Sequence, residues 1–161
     1  MQKNSIKRLI CLLLTLILTV TLFGCSAKSE YSVKDFSEKF LELTPFSEMK
    51  SLSGSSLPSY FVFSDANVKR FDVMVSANAD SADTIACFEV INKEQRKAAI
   101  SGISHYLTNQ HTSFKSTIEK EFNKVQNRVL AEVENFIILV VCNDTTAIWD
   151  YLNSIGAKEV V

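Results

Sequence analysis

The 161-residue chain is poor in glycine and proline, with four and two of them. So few glycines exclude a glycine-rich loop that would hold a nucleotide phosphate. The shortage of both residues, together with a hydrophobic content of 47%, also excludes collagen-like and disordered classes. The composition therefore predicts one globular domain of ordinary type.

The sequence also lacks an excess of charge of either sign and any motif for a metal or cofactor. Its 17 basic residues against 18 acidic ones leave no basic footprint for a nucleic acid. His105 and His111 are six residues apart and would point in different directions around a helix. No Cys-Xaa-Xaa-Cys or His-Glu-Xaa-Xaa-His motif occurs. We therefore expect no nucleic-acid partner, no metal and no cofactor.

The first 23 residues have the order of a bacterial secretion signal. Lys3, Lys7 and Arg8 make residues 1–8 basic, and the apolar run that follows, residues 9–23, carries no charge. That run is shorter than the ~20 residues that a membrane-spanning helix needs. A basic segment followed by a short uncharged run is typical of a signal peptide.

The apolar run ends in Leu22-Phe23-Gly24-Cys25, which resembles the lipobox of bacterial lipoprotein precursors. In that motif a small residue precedes an obligatory cysteine, whose thiol takes a diacylglyceryl group as a thioether. We therefore expect cleavage between Gly24 and Cys25, and a membrane-lipid anchor on Cys25 with acyl chains such as palmitate. The alternatives are an uncleaved signal anchor and an ordinary signal peptide with a chance cysteine.

Removing the signal changes the charge of the chain. Residues 1–24 contain three basic residues and no acidic one, so the remaining 137 residues carry a formal net charge of -4. An acidic domain should not adhere as a whole to an anionic lipid surface. The expected organisation is a signal peptide at 1–24, a lipidated cysteine and short linker at 25–31, and one extracytoplasmic domain at 32–161.

Hydrophobic periodicity predicts an α+β domain with an antiparallel sheet of about four strands and helices packed mainly on one face. A helix at 33–43 opens with a capping box of Ser32 and Asp35, and a last helix follows Asn143-Asp144. A long helical stripe over 93–126 is expected to break near Lys115, before a capping box of Ser116 and Glu119. The strands are expected at 71–75, 84–91, 128–133 and 136–142, with a further short strand at 60–63.

The run Ala82-Asp83-Thr84-Ile85-Ala86-Cys87-Phe88-Glu89-Val90 resembles the signature strand of a bacterial family called domain of unknown function 4358. The resemblance continues through the long helix and through Asn135-Phe136-Ile137-Ile138-Leu139-Val140-Val141, and it covers roughly residues 65 to 155. Members of that family are typically lipoproteins of Gram-positive bacteria. The resemblance therefore implies a fold and an anchored location, but no reaction.

Cys87 and Cys142 are the two cysteines left once Cys25 carries the lipid and the signal is removed. A cysteine paired with His105 or His111 would make a nucleophile. Both cysteines, however, lie in or at the end of apolar strands, where cysteine behaves as a small hydrophobic residue. We favour this structural interpretation. A disulfide between Cys87 and Cys142 and a pair of free thiols are both compatible with an extracytoplasmic location.

Carboxylates and aromatic residues are weaker indications of a functional site than the cysteines. Two pairs of carboxylates, Glu132 with Glu134 and Asp80 with Asp83, could in principle act as acid and base. Glu132 and Glu134 are instead expected at the solvated edge of a hairpin, and Asp83 is expected to cap a turn before its strand. Glu89 is expected either to face solvent or to have a partner, because it shares a strand face with Ile85 and Cys87. The aromatic residues Tyr106, Trp149 and Tyr151 are expected in the core rather than on a ligand platform.

The function expected from the sequence is that of a membrane-anchored extracytoplasmic lipoprotein without catalytic activity. Its domain would bind an unknown protein or small-molecule partner, or act in the cell envelope. The alternative is a lipid-tethered hydrolase or thiol enzyme that uses Cys87 or Cys142 with a histidine.

Overall fold

A six-stranded antiparallel sheet organises residues 31–160, the part of the chain that the computed structural model describes. The predicted signal peptide and Cys25 lie outside these residues. The strands are β1 Met49–Ser51, β2 Arg70–Ser76, β3 Thr84–Glu89, β4 Val129–Val133, β5 Phe136–Val141 and β6 Lys158–Glu159. The helices are α1 Val33–Leu43, α2 Leu57–Phe61, α3 Lys93–Phe114, α4 Glu119–Gln126 and α5 Thr146–Ser154.

The strands lie in the order β1-β2-β3-β5-β4-β6, and each neighbouring pair is antiparallel. The predicted α+β class is confirmed. The described residues hold six strands, whereas the sequence predicted about four. The two edge strands β1 and β6, which have only three and two residues, were not predicted. Strands this short carry too few positions for an alternating pattern.

Helices cover both faces of the sheet. The long-helix face, named for α3, also packs α2 and α4 against Ala86, Phe88 and Leu139. The terminal-helix face packs α1 and α5 against Ile85 and Ile138. The helices thus divide three to two between the faces. This arrangement explains why every residue of β3 and β5 is buried.

The two ends of the sheet can be told apart. The turn end carries the tight β4–β5 turn at Glu134-Asn135, and the far end is where β3 begins and β5 finishes. Helix α1 starts at the turn end, because the Phe36 and Phe136 ring centroids are 5.1 Å apart. It finishes at the far end, where Thr44 Oγ1 donates to the carbonyl of Asp144 at 3.4 Å.

Of three predictions about where the helices begin and end, two are confirmed and one is wrong. The capping box at Ser32 and Asp35 is confirmed by reciprocal hydrogen bonds of 3.2 and 2.9 Å. The break near Lys115 is also confirmed, since α3 ends at Phe114 and α4 begins at Glu119. The predicted capping box of Ser116 and Glu119 is wrong, because the N-cap of α4 is Ile118 and it makes no side-chain cap.

Within residues 31–160, none of the helices combines the length and the apolar character that crossing a bilayer requires.

The expected short strand at 60–63 is wrong, since Leu57–Phe61 forms α2. Its proline lies in the first helical turn, where the missing N–H has no cost. The Phe61 ring packs against Tyr106 of α3 and Phe88 of β3, with centroid distances of 4.8 and 5.4 Å. Burial of Phe61 between a helix and the sheet thus overrides the strand preference of an aromatic run.

Candidate functional site

Cys87 and Cys142 are free thiols buried on the terminal-helix face. Ser37 Oγ donates to Cys87 Sγ at 3.7 Å, and Cys142 Sγ donates to the carbonyl of Asp144 at 3.2 Å. Burial raises the pKa of Cys87 to about 12 and that of Cys142 to about 11. Both groups therefore stay protonated near neutral pH, which is the opposite of an activated nucleophile.

The two histidines lie on α3, which packs on the other face of the sheet. His111 is half-buried, and its ring centroid is 4.7 Å from that of Phe122. His105 is exposed, with Nδ1 3.3 Å from Asn109 Nδ2. Because the sheet separates α3 from Cys87 and Cys142, the structure brings neither thiol together with an imidazole. The thiol-enzyme alternative lacks its catalytic pair in this arrangement.

The strand register also keeps the two thiols apart from each other. Cys87 lies opposite Ile138, four residues before Cys142 along the chain. That separation is about 13 Å at the usual rise of a strand, whereas the two Cα atoms of a disulfide lie within ~7 Å. The disulfide is therefore not formed, and the free-thiol alternative holds.

The carboxylates considered as acid-base pairs are held in ion pairs or at the surface. Arg96 donates to both carboxylate oxygens of Glu132. Hydrogen bonding to Arg96 holds the pKa of Glu132 below its usual value. Glu134 lies exposed in the β4–β5 turn. Among residues 31–160, no group of three or more His, Cys, Asp or Glu side chains is placed to hold a metal ion.

Glu89, which the sequence left as either exposed or paired, is buried and paired. Lys69 Nζ lies 2.7 Å from Glu89 Oε1, and Asn135 Nδ2 donates to the same oxygen at 3.1 Å. Arg70 lies 3.8 Å from the other oxygen. These contacts join the start of β2, the end of β3 and the β4–β5 turn at the turn end of the sheet.

A buried ion network occupies the far end of the sheet. Lys124 Nζ of α4 lies 2.7 Å from Asp83 Oδ1 and 3.0 Å from Glu121 Oε2. The side chains of all three are less than 10% exposed. The backbone N–H of Ala82 donates to Glu121 at 2.8 Å, and that of Ser47 donates to Asp83 at 2.7 Å. The network therefore ties α4 to the start of β3 and to the segment before β1.

The ion network attaches α4 to the sheet and does not supply a group for proton transfer. Burial by itself lowers the pKa of Lys124, but the hydrogen bonds to Asp83 and Glu121 outweigh it and raise the pKa above its usual value. A lysine held in its charged form has no free electron pair with which to act as a base or nucleophile. Sequence reasoning placed Asp83 at a turn and missed this network, although Glu121 and Lys124 share one helix face at i, i+3 spacing.

The aromatic residues singled out in the sequence belong to the core, as expected. Tyr106 is buried, shares a 2.7 Å hydrogen bond with Thr84, and has its pKa raised to about 12 by burial. Trp149 and Tyr151 are half-buried and pack against the terminal-helix face. They do not form an exposed platform for a ligand.

A concave surface lies between α3, the end of α4 and the β4–β6 edge of the sheet, and we call it the α3 groove. Its volume is about 720 Å³. Apolar side chains and polar rim groups both line it: Ile100, Leu107, Val125, Leu130 and Val160, with Ser104, Thr108, His111, Gln126, Arg128 and Glu159. Sequence reasoning missed this groove, because its walls come from segments far apart in the chain.

A smaller concavity of about 330 Å³ adjoins the ion network. Asn123, Lys124, Asn127 and Asn143 are among its lining residues. All of these except Lys124 are exposed, so the concavity is an open polar hollow at the far end of the sheet.

Comparison with known families decides where this chain belongs. The family model called domain of unknown function, DUF4358, matches residues 43–142. The chain belongs to the DUF4358 family. No curated protein and no solved structure matches it.

The DUF4358 match runs from the end of α1 to the end of β5 and includes the whole ion network. The run Ala82–Val90, which carried the resemblance to DUF4358, forms β3 and the residues that flank it. Its first two residues, Ala82 and Asp83, contact Glu121 and Lys124 of α4. In this DUF4358 domain the signature strand therefore fixes a helix to the sheet.

Proposed function

We propose that this DUF4358 protein is a lipoprotein anchored to the extracytoplasmic face of the cell membrane through a diacylglyceryl group on Cys25. The observation that carries the proposal is the basic segment, the uncharged apolar run and the sequence Leu22-Phe23-Gly24-Cys25, in that order. Two acyl chains give stable anchoring, whereas one gives only reversible binding. The amine of Cys25 becomes the mature terminus after cleavage.

The anchor is tested by replacing one cysteine at a time and feeding radiolabelled palmitate to the producing cells. We expect Cys25→Ala to lose the label and to keep the mass of the uncleaved precursor. Cys11→Ala is the matched control, because Cys11 lies in the signal, and it should be labelled and cleaved like the unchanged protein. Retention of the label by Cys25→Ala would show that the anchor is elsewhere.

The domain itself acts as a non-enzymatic binding module, with the α3 groove as its ligand site. The volume of the groove, about 720 Å³, lies within the usual range of small-molecule sites. Apolar groups such as Leu107 line it, while His111 and Arg128 supply polar atoms at its rim. This combination fits a small amphiphilic molecule with an apolar body and a polar or anionic group.

Binding in the groove is tested with anilinonaphthalene sulfonate, a fluorescent probe that has apolar rings and one sulfonate. Thr108 is exposed and lines the groove, so Thr108→Trp should fill it and weaken probe binding by about tenfold, or ~1.4 kcal/mol. Thr112→Trp places the same ring one turn along α3, outside the lining, and should bind the probe normally. Equal affinities in both variants would rule out the groove as the site.

A further inference from the structure

We infer that the turn end of the domain is a lipid-facing surface that rests on anionic headgroups with Ile91 at its centre. This inference depends on the anchoring through Cys25 proposed above, and it adds an orientation to it. Five residues separate Cys25 from Tyr31, a reach on the order of 20 Å when fully extended. The Tyr31 ring lies 5.3 Å from that of Phe36, at the start of α1. The chain thus enters the domain at its turn end.

Ile91 is the apolar group that this end presents to its surroundings. It is 64% exposed and follows directly after β3 and Val90. The N–H of Val90 donates to the carbonyl of Asn135 at 2.8 Å, and the N–H of Ile91 donates to Gln95 Oε1 at 3.0 Å. These bonds hold the backbone of Ile91 beside the β4–β5 turn. An exposed β-branched side chain at this place is suited to the boundary between headgroups and acyl chains.

Basic side chains surround Ile91. Lys69, Arg70, Lys93 and Lys97 are exposed at this end of the sheet or in the first turns of α3. The carboxylates around Ile91 are Glu89, Glu94 and Glu134, and the first turn of α1 adds one exposed charge of each sign, Lys34 and Asp35. Glu89 is buried and pairs with Lys69, so these two charges cancel, and the exposed excess around Ile91 is Arg70, Lys93 and Lys97 against Glu94 and Glu134. The N-terminus of the 22-residue helix α3 adds a partial positive charge. Exposed positive charge attracts an anionic headgroup.

The far end of the domain carries a small excess of negative charge. The exposed charges there balance, with Glu48, Asp80, Glu119 and Asp144 against Lys50, Lys115, Lys120 and Arg128. The buried network of Asp83, Glu121 and Lys124 then leaves this end one negative charge in excess. An anionic surface therefore repels this end while it attracts the turn end. The formal charge of -4 after removal of residues 1–24 argues against adhesion of the domain as a whole. The uneven distribution of charge between the two ends nevertheless orients a domain that is already tethered.

The orientation is tested on the full, lipidated protein in vesicles of phosphatidylglycerol and phosphatidylcholine. A single environment-sensitive fluorophore is attached through Ile91→Cys or, at the far end, through Asn123→Cys. The native thiols Cys87 and Cys142 are buried, so labelling is directed to the introduced cysteine. Lipid-borne nitroxide quenchers then report how close each label lies to the bilayer.

We expect the label at residue 91 to have blue-shifted emission and quenching several-fold stronger than the label at residue 123. Adding Lys93→Glu and Lys97→Glu should reduce the quenching at residue 91 to that of residue 123. The matched pair Lys115→Glu and Lys120→Glu, at the far end, should not reduce it. Equal and weak quenching of both labels in vesicle-bound protein would overturn the orientation alone. Failure of the protein to float with the vesicles would instead overturn the anchoring, and the orientation with it.

Discussion

Gly102 lies in the middle of α3 where the chain after α2 passes close to the helix. A Cβ atom at this position would be 2.3 Å from a ring carbon of Phe63 and 2.4 Å from the carbonyl oxygen of Phe61. A backbone oxygen cannot move aside as the end of a flexible side chain can. Glycine is therefore required here, although it costs a helix about 1 kcal/mol relative to alanine.

Gly102→Ala should lower the free energy of unfolding by about 1 kcal/mol, the difference between the cost of the clash and the helix propensity that alanine regains. The overpacking cost of a core clash, ~1–3 kcal/mol, exceeds what the gain in helix propensity returns. Urea denaturation measures the difference. Ser101→Ala, at the exposed neighbouring position, controls for propensity and should not destabilise the domain. Equal or greater stability of Gly102→Ala would contradict the close approach of α2 and α3.

Val62 carries backbone strain at the end of α2. Its φ of 61° lies in the left-handed region, which a β-branched residue rarely adopts, and its side chain is 63% exposed. Asparagine tolerates this conformation, so Val62→Asn should raise the free energy of unfolding by about 1 kcal/mol. Ile91→Asn replaces a similarly exposed residue whose φ is not positive, and thermal unfolding should show no such gain for it.

The buried thiols make stability depend on pH in the alkaline range. Burial raises the pKa of Cys87 to about 12 and that of Cys142 to about 11, from an ordinary value of 9.0. Between these values the folded state binds more protons than the unfolded state, so the free energy of unfolding falls as pH rises above about 9. The variant Cys87→Ala with Cys142→Ala should show a shallower fall in urea titrations. An unchanged slope would mean that the thiols ionise equally in both states.

At the scale of the secondary-structure elements, Lys124 holds α4 against the sheet through its ion pairs. Lys124→Met leaves Asp83 and Glu121 buried without a cation, which should lower the free energy of unfolding by about 3 kcal/mol. Lys120→Met changes an exposed lysine of the same helix and should have little effect. Amide exchange in α4, followed by mass spectrometry, should become faster in Lys124→Met alone. Unchanged exchange would show that α4 is held by its apolar contacts.

Elements with a strong period or a local cap were predictable from the sequence. Helix α1, the break after α3 and the four longer strands arise from patterns within a few residues, such as the box of Ser32 and Asp35. The far-end network was not predictable, because Asp83 and Lys124 are 41 residues apart and meet only through the fold. The α3 groove was not predictable either, because its walls come from segments that are far apart in the chain. In both cases the chemistry depends on tertiary contacts that leave no local signal.

At the scale of the whole molecule, the DUF4358 match and the folded domain have different limits. Residues 43–142 contain β1 to β5 with α2, α3 and α4, and therefore the complete long-helix face. The helices that cover the terminal-helix face, α1 and α5, lie almost wholly outside the match. Without them, Ile85, Phe136 and Ile138 would face water, although all three are fully buried in the domain.

A fragment of residues 43–142 should therefore not fold cooperatively. Exposing one whole face of a sheet removes the burial that makes a domain of this size stable, at about 25 cal/mol per Å² of apolar surface. Residues 31–161, which retain α1 and α5, should unfold in one sharp urea transition followed by circular dichroism. A sharp transition in the shorter fragment would show that the long-helix face alone sustains the fold. Loss of cooperativity in that fragment alone would make α1 and α5 together part of the folding unit.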